Sequence, residues 1–345
     1  MSEISINRRT TNRRPVFLII LLLLIGATYW GHTFLSRQYA PVDPQDNRPI
    51  DVRIPANSTA RDIAVQLEEQ GLIHSERAFL SYCRKEGLDS QLKAGHYVFT
   101  RSQSVAEIAE AIARGAVVTK TITIPEGYTV AQIGQLLIEN NICTDAEWEE
   151  ALQAEYPFDF LNNVSPRANN KLEGFLFPDT YVIPDDIKAQ ELIQHMLATF
   201  DQVWQDELAA SASETSLTIN EVVTLASLIE REAQVSAERE VISGVIYNRL
   251  ERGMLLQIDA SVLYCLPNHK QKVTYADLEV NNPYNTYKNP GLPPGPIANP
   301  GLASLKAALH PQKHDYLYYV AKGDGSHHFS LTYDEHLIAK GRYID

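Results

Sequence analysis

The hydrophobic and polar positions of the chain repeat at an offset of 70 residues, beginning at Ile54 and again at Ile124. Four positions recur at this offset: Thr59 with Thr129, Ile63 with Ile133, Leu67 with Leu137 and Leu72 with Ile142. A weaker third copy covers residues 97–108. Each copy predicts a short strand, a turn and an amphipathic helix, and in the two stronger copies a threonine is placed as the helix N-cap.

These strand–turn–helix units resemble LysM modules, which bind the N-acetyl sugars of peptidoglycan and chitin. The resemblance implies sugar binding by the region 50–120. An α+β packing repeat that serves only as a spacer fits the same pattern, so the sequence leaves both interpretations open.

Residues 145–215 have a mostly helical pattern, which residues 173–181 (EGFLFPDTY) interrupt. Aromatic rings beside carboxylates can line a sugar cleft, because pyranose C–H faces pack on rings while hydroxyl groups bond to carboxylates. A buried connector with Phe175 and Phe177 in the core is the simpler interpretation, and we favour it for the two phenylalanines.

A further helix is predicted from Thr218 onward, because Thr218 and Glu221 have the capping-box spacing. The residues that follow form one apolar stripe at helical spacing: Val222, Leu225, Ala226, Ile229 and Ala233. Glu230 and Glu232 flank that stripe on opposite rims. Burial there would raise the pKa of Glu232, as a general acid requires at neutral pH, but the angles do not decide between the two glutamates.

The remaining pattern predicts a helix over residues 241–250, an ordered proline-rich loop over 282–301, and a hairpin of strands at 316–320 and 327–330. His327, His328 and His336 lack the helical spacing and the neighbouring cysteines of zinc sites. The sequence therefore favours an enzyme or binding module without a metal or cofactor.

An apolar run of twenty residues, 16–35, contains no Asp, Glu, Lys or Arg and follows Arg8, Arg9, Arg13 and Arg14. Its length matches a hydrocarbon core of about 30 Å, and the preceding arginines place the N-terminus in the cytoplasm. No small-x-small cleavage site follows, so we expect an uncleaved single-pass anchor in the inner membrane with the body exported into the periplasm. Polar residues 36–49 predict a tether.

Composition narrows the functions of the exported body. The chain of 345 residues has a net charge of −13, and its charged N-terminal arginines leave the remainder more acidic still. Such a body repels polyphosphate, so nucleic acid is not expected as a partner. The three cysteines, Cys83, Cys143 and Cys265, allow at most one disulfide.

Several separate motifs occur in an order that resembles the YceG-like, or MltG-type, endolytic murein transglycosylases. The motifs are residues 173–181, 226–233, 237–239, 245–250, 253–257, 283–287, 291–297, 299–301 and 316–318. The resemblance covers about residues 50–340. Ile258 and Ala260-Ser261 depart from the residues common around Asp259, which weakens inferences about substrate contacts from that loop.

The resemblance implies cleavage of the β-1,4 bond between N-acetylmuramic acid (MurNAc) and N-acetylglucosamine (GlcNAc) in nascent glycan strands. The products would end in 1,6-anhydroMurNAc, and cleavage would terminate strand elongation. The second glutamate of the family's E-x-E motif corresponds to Glu232, which the resemblance therefore identifies as catalytic. Candidates for substrate binding, in falling order, are Glu173, Glu230, Glu238, Asn248, Gln257 and Tyr284. The expected partners are glycan strands and, beyond them, cell-wall synthases such as penicillin-binding proteins.

The expected fold is α+β, a membrane-anchored chain with a LysM-like module followed by a mixed α+β catalytic domain. The predicted segments are a cytoplasmic tail (1–15), a transmembrane helix (16–36), a linker (37–49), the LysM-like module (50–120) and the YceG-like domain (121–345). Two alternatives from other classes stay open: a non-catalytic, membrane-anchored peptidoglycan-binding scaffold and a hydrolytic muramidase. A muramidase would need a second carboxylate to activate water.

Overall fold

The structure is a computed structural model that describes residue 26 and residues 30–266, 270 and 272–344. The chain divides into two compact units: the first runs to Thr119 and includes Pro184–Asp186, and the second comprises Lys120–Ile183 and the chain from Ile187 onward. Most of the predicted anchor, residues 16–36, lies outside the described residues. Within the described part, we find no helix with the length and apolar character needed to cross a membrane.

The first unit contains one antiparallel strand pair and four helices among its described residues. In chain order these are α1 (residues 30–39), β1 (Ile50–Ile54), α2 (Ala60–Glu69), α3 (Glu76–Glu86), β2 (Gly95–Phe99) and α4 (Val105–Arg114). β1 pairs with β2 so that Ile50 lies opposite Phe99 and Ile54 opposite Gly95. His96 of β2 is buried between the carboxylates of Asp51 and Asp185, at 2.8 and 2.7 Å.

The second unit is mostly helical, with two short strand pairs in its described part. Its elements are β3 (Thr119–Thr123), α5 (Val130–Glu139), α6 (Asp145–Gln153), β4 (Thr180–Pro184), α7 (Ala189–Val203), α8 (Ala209–Ala212), α9 (Ile219–Glu232), α10 (Arg239–Glu251), α11 (Asp259–Cys265), α12 (Leu302–Leu309), β5 (Tyr318–Ala321), β6 (His327–Ser330) and α13 (Tyr333–Tyr343). β3 pairs with β4, and β5 with β6. The mixed α+β class predicted from the sequence is therefore confirmed.

The three predicted strand–turn–helix copies form as local structure. Thr59, Ser104 and Thr129 are the N-caps of α2, α4 and α5, and each belongs to a complete capping box. The turns of the two stronger copies also match, because Asn57 and Gly127 both have positive φ, at 65° and 77°. This conformation suits glycine and asparagine best. The likeness to LysM modules stays a prediction.

Helix α9 is the centre of the second unit's core and differs in one respect from its prediction. The capping box at Thr218 is present, but every residue over 222–229 is buried, whereas the pattern predicted a single apolar stripe. Two polar members of this run satisfy their hydroxyls within the helix: Thr224 donates to the Asn220 carbonyl, and Ser227 to the Thr224 carbonyl. The helix leaves the core at its two ends, and its final turn, which carries Glu230 and Glu232, lies at the border of the core.

The region 173–181 is part of that core. Phe175 and Phe177 are buried, and the Phe175 ring lies 5.1 Å from the rings of both Phe160 and Phe200. The core interpretation of the two phenylalanines is confirmed. The loop 282–301 is ordered as predicted, with several fully buried residues, whereas β4 was not anticipated. All three cysteines are free thiols.

Candidate active site

The carboxyl group of Glu232 lies at the C-terminal end of α9, where the core meets the surface. It is partly buried, and its Oε2 accepts a hydrogen bond of 2.9 Å from the Tyr319 hydroxyl. Burial raises the pKa of Glu232, while the Tyr319 hydrogen bond opposes that rise; the nearby charge of Asp259 raises the pKa further. A carboxyl group with a raised pKa retains the proton that a general acid must donate.

The β5–β6 hairpin positions Tyr319 against that carboxyl group. Tyr319 pairs with Phe329 across the hairpin, and its ring meets the His327 ring edge to face at 5.3 Å. Glu238 fixes the start of β6, because its carboxylate accepts the His327 backbone N–H at 3.0 Å and lies 2.8 Å from His327 Nδ1. Glu238, predicted to bind substrate, is thus placed to hold the hairpin.

A second carboxylate, that of Asp259, is near Glu232. Asp259 is the first residue of α11, and its Oδ1 accepts a hydrogen bond from the Tyr287 hydroxyl. Both carboxylates act on Tyr287: burial raises its pKa first, and the charges of Asp259 and Glu232 add to that rise. Glu232, Asp259, Tyr287 and Tyr319 therefore form one cluster, which we call the catalytic cluster after the role that is proposed for it below.

Arg249 joins the elements around the catalytic cluster. Its side chain is buried and donates to the carbonyls of Leu317, at 2.6 Å, and Leu256, at 2.7 Å. These bonds link α10 to the start of the hairpin and to the segment before α11. Burial lowers the pKa of Arg249, while neighbouring tyrosines oppose that effect.

Glu173 belongs to a different, buried group of polar residues. Its Oε1 accepts the Val130 backbone N–H at 3.0 Å and the Asn299 amide at 3.3 Å, and its Oε2 accepts the Tyr264 hydroxyl at 3.1 Å. Burial raises the pKa of Glu173 to about 8, although the hydrogen bonds from Val130 and Tyr264 lower it in part. The Tyr264 ring lies 4.9 Å from that of Tyr284.

Tyr284 and Glu230 lie outside the catalytic cluster. Tyr284 is fully buried, and its hydroxyl accepts the Asn169 backbone N–H at 3.2 Å. Glu230 accepts the Gly301 backbone N–H at 3.2 Å and forms an ion pair with Arg239 at 3.6 Å. The two glutamates of the E-x-E motif thus face different neighbours, as the opposite rims of the predicted stripe require.

Asn248 and Gln257 have hydrogen-bond partners other than Glu232. The Asn248 amide donates to the carbonyls of His314 and Tyr316, at 2.8 and 3.0 Å, and so holds the segment before β5. Gln257 is exposed and has a positive φ of 52°, and its backbone N–H donates to the Thr286 carbonyl.

Two open pockets adjoin one another in this unit. The smaller has a volume of about 570 Å³, and the larger about 1000 Å³. Both are lined by Val130, Ala131, Gln135, Asn169 and Asn170. The smaller pocket is also lined by Glu173, Arg231 and Ala260, so it reaches the chain neighbours of Glu232 and Asp259. Because the two pockets share these five residues, they are continuous with each other along this face of the unit.

Sequence reasoning missed Tyr319, Tyr287 and Arg249 as parts of the site. The tyrosines bond to carboxylates 28 and 87 residues away along the chain, and Arg249 bonds to Leu317, 68 residues away, so local patterns cannot reveal these contacts. The available signal was composition, since tyrosines are concentrated in the proline-rich loop and the hairpin that the sequence predicts to be ordered.

Replacement of Tyr319 by phenylalanine tests the hydrogen bond to Glu232. Because that bond lowers the Glu232 pKa, its loss raises the pKa, and the activity loss that follows Glu232 deprotonation moves to higher pH. We expect the maximal rate to fall about tenfold, as a hydrogen bond to a charged group is removed. The measurement is the pH dependence of the glycan-strand cleavage that the sequence resemblance predicts. Tyr318→Phe, one position along β5, is the matched control, and an unchanged profile for Tyr319→Phe would contradict the assignment.

Comparison with known proteins identifies relatives of the chain. The YceG-like family matches residues 52–342. An endolytic murein transglycosylase from Bacillus subtilis is 36% identical over 94% of this chain and 91% of its own length. One from Streptococcus pneumoniae D39 is 32% identical over 93% of this chain and 63% of its own length. The solved structure of a YceG-like protein from Listeria monocytogenes has a TM-score of 0.58 and 34% identity, and covers 85% of this chain and 99% of its own.

Proposed function

Since the chain belongs to the YceG-like family, we propose that it is an endolytic murein transglycosylase that cleaves the MurNAc–GlcNAc β-1,4 bond of nascent glycan strands. The observation that carries the proposal is the partly buried Glu232 carboxyl group, with its raised pKa and its hydrogen bond to Tyr319. The names of the relatives agree with this reaction class. A non-catalytic scaffold would have no use for such a carboxyl group at the end of a core helix.

In the proposed mechanism Glu232 acts first as a general acid and then as a general base. It protonates the glycosidic oxygen, and the bond from that oxygen to C1 of MurNAc breaks. Glu232, now a carboxylate, accepts the proton of the C6 hydroxyl of the same sugar while that oxygen bonds to C1. The product carries a 1,6-anhydroMurNAc end. The nucleophile belongs to the substrate, so its attack is intramolecular.

The other members of the catalytic cluster have supporting roles. The charge of Asp259 raises the pKa of Glu232, and a negative charge so placed stabilises the positive charge that develops at C1. Tyr287 holds the Asp259 carboxylate, and Tyr319 orients that of Glu232. Glu173, Glu230, Glu238, Asn248 and Tyr284 support the fold around the cluster through the contacts described above, so we propose no direct substrate contact for them.

A hydrolytic muramidase is the second candidate, because Asp259 supplies the second carboxylate that water activation requires. Mass analysis of the fragments from isolated glycan strands separates the two reactions. The anhydro route adds no water, so each new muramic end should be one water lighter than a hydrolysis product and lack a reducing group. Reducing muramic ends would replace the proposed reaction with hydrolysis.

We further propose that residues 16–36 anchor the enzyme in the inner membrane with its body in the periplasm, where it terminates strand elongation beside cell-wall synthases. The charge-free run 16–35 behind four arginines supports this topology. The full chain should fractionate with the inner membrane, and externally added protease should reach its body from the periplasmic side alone. Removal of residues 1–36 should release a soluble, active body. Full activity in the cytosolic fraction would contradict the topology.

A further inference from the structure

The smaller pocket lies directly beside the catalytic cluster. Two of its lining residues, Arg231 and Ala260, are the chain neighbours of Glu232 and Asp259. Arg231 and Glu232 are consecutive residues at the end of α9, and Asp259 and Ala260 are consecutive at the start of α11. The same two helix ends therefore supply both the wall of this pocket and the two carboxylates.

Arg231 gives the pocket a positive charge that forms no ion pair with a carboxylate within the described part of the chain. Its guanidinium donates to the Gly127 carbonyl at 3.2 Å, and among the described residues it has no carboxylate oxygen within ion-pair distance, although its charge lowers the pKa of Glu232 in part. The pocket's other cation, Lys270, is paired with Asp277 at 2.7 Å. Glu173, with a pKa of about 8, is mostly protonated at neutral pH and adds little negative charge. The smaller pocket therefore carries a positive charge in a chain whose net charge is −13.

The adjoining larger pocket has the opposite character. Beyond the residues that both pockets share, it is lined by Glu139, Asp145 and Glu149 against one cation, Lys171. An anionic substituent is therefore repelled from the larger pocket and attracted to the smaller one. The attraction is confined to the side that adjoins the catalytic cluster.

The chemistry of the rest of the smaller pocket suits amide groups. Its lining includes four residues with side-chain amides, Gln132, Gln135, Asn169 and Asn170, together with Tyr264. Side-chain amides both donate and accept hydrogen bonds, as the N-acetyl and lactyl-amide groups of a muramic sugar require. A neutral polar wall with one arginine thus matches an amidated sugar that carries a carboxylate.

We propose that the smaller pocket binds a carboxylate on the 3-O-lactyl arm of the MurNAc sugar next to the cleaved bond, with Arg231 as its partner. The carboxylate is that of the lactyl group in strands without peptides, or one on the peptide stem where peptides are attached. GlcNAc lacks this arm, so the pocket distinguishes the two alternating sugars and sets which β-1,4 bond lies at Glu232. This inference rests on the proposed function and adds a determinant of its specificity.

Binding measurements on the full chain in the Glu232→Gln background test the pocket apart from cleavage. The probes are peptide-bearing glycan strands, strands stripped of peptides by an amidase, and GlcNAc oligomers of equal length. Arg231→Gln should weaken binding of the muramic strands about tenfold, because a charge-assisted hydrogen bond is lost. Binding of GlcNAc oligomers should not change. If Arg231→Gln weakens the binding of stripped strands, the partner of Arg231 is the lactyl carboxylate. If it weakens the binding of peptide-bearing strands, the partner is a carboxylate of the peptide.

Two matched variants make the result specific. Arg231→Lys keeps the charge and should retain most of the affinity, whereas Arg252→Gln removes an exposed arginine at the end of α10 and should have no effect. Unchanged binding of both muramic strands, or an equal loss with GlcNAc oligomers, would overturn the inference. The proposed function fails separately, if the enzyme with Glu232 intact cleaves none of the strands.

Discussion

Glu232→Gln should reduce glycan-strand cleavage by about 10⁴-fold or more. General acid–base catalysis contributes about 10²–10⁴-fold, and Glu232 fills both the acid and the base role in the proposed mechanism. The amide keeps the volume of the side chain and an oxygen that can accept the Tyr319 hydroxyl, so the fold should be preserved. The measurement is the cleavage rate on isolated strands, together with the midpoint of thermal unfolding.

Glu230→Gln is the matched control, two residues away on the same helix. Glu230 accepts the Gly301 backbone N–H and pairs with Arg239. We therefore expect this variant to lose stability, by about 1–2 kcal/mol, rather than catalytic rate. Equal activity of Glu232→Gln and the unmodified enzyme would remove Glu232 from the site. If both variants fold and Glu230→Gln loses as much catalytic rate as Glu232→Gln, the assignment of the catalytic role to Glu232 alone would be wrong.

The sequence predicted the elements of the fold best where a local signal fixes them. Capping residues and hydrophobic period located α9, and turn residues located the β5–β6 hairpin. The sequence nevertheless predicts one apolar stripe on α9, whereas Thr224 and Ser227, which lie outside that stripe, are also buried. Their hydroxyls bond to carbonyls of the preceding turn, which allows burial on every side.

The candidate site was less predictable, because a polar side chain can serve substrate or fold and the pattern does not distinguish the two. Glu238 and Asn248 each have motif positions, yet both bond to the chain around the hairpin. Glu173 is the first candidate for substrate contact in the sequence, but its carboxyl group is buried and accepts three hydrogen bonds from the protein. Such pairings join residues far apart in sequence, so only the folded chain reveals them.

Replacement of Glu173 should change stability strongly and in a pH-dependent way. The unfolded chain ionises this carboxyl group near pH 4.5, but the folded chain retains the proton up to about pH 8. Between those values the folded state binds more protons, so stability falls as pH rises. One pKa unit corresponds to about 1.4 kcal/mol, which makes the loss across this range of the order of 4 kcal/mol. Urea unfolding of the full chain from pH 5 to pH 8.5 measures it.

Two variants separate ionisation of Glu173 from its hydrogen bonds. Glu173→Gln cannot ionise, but it keeps an oxygen that can accept the Val130 N–H. Its free energy of unfolding should therefore change less with pH than that of the unmodified protein. Relative to the unmodified protein, the variant should gain stability as the pH rises toward 8. Glu173→Leu leaves three donors without their acceptor, on Val130, Asn299 and Tyr264, and each costs about 1–3 kcal/mol when it stays buried. It should therefore be strongly destabilised even at pH 5, where the native carboxyl group is uncharged. A pH dependence in Glu173→Gln as steep as in the unmodified protein would assign the effect to another group.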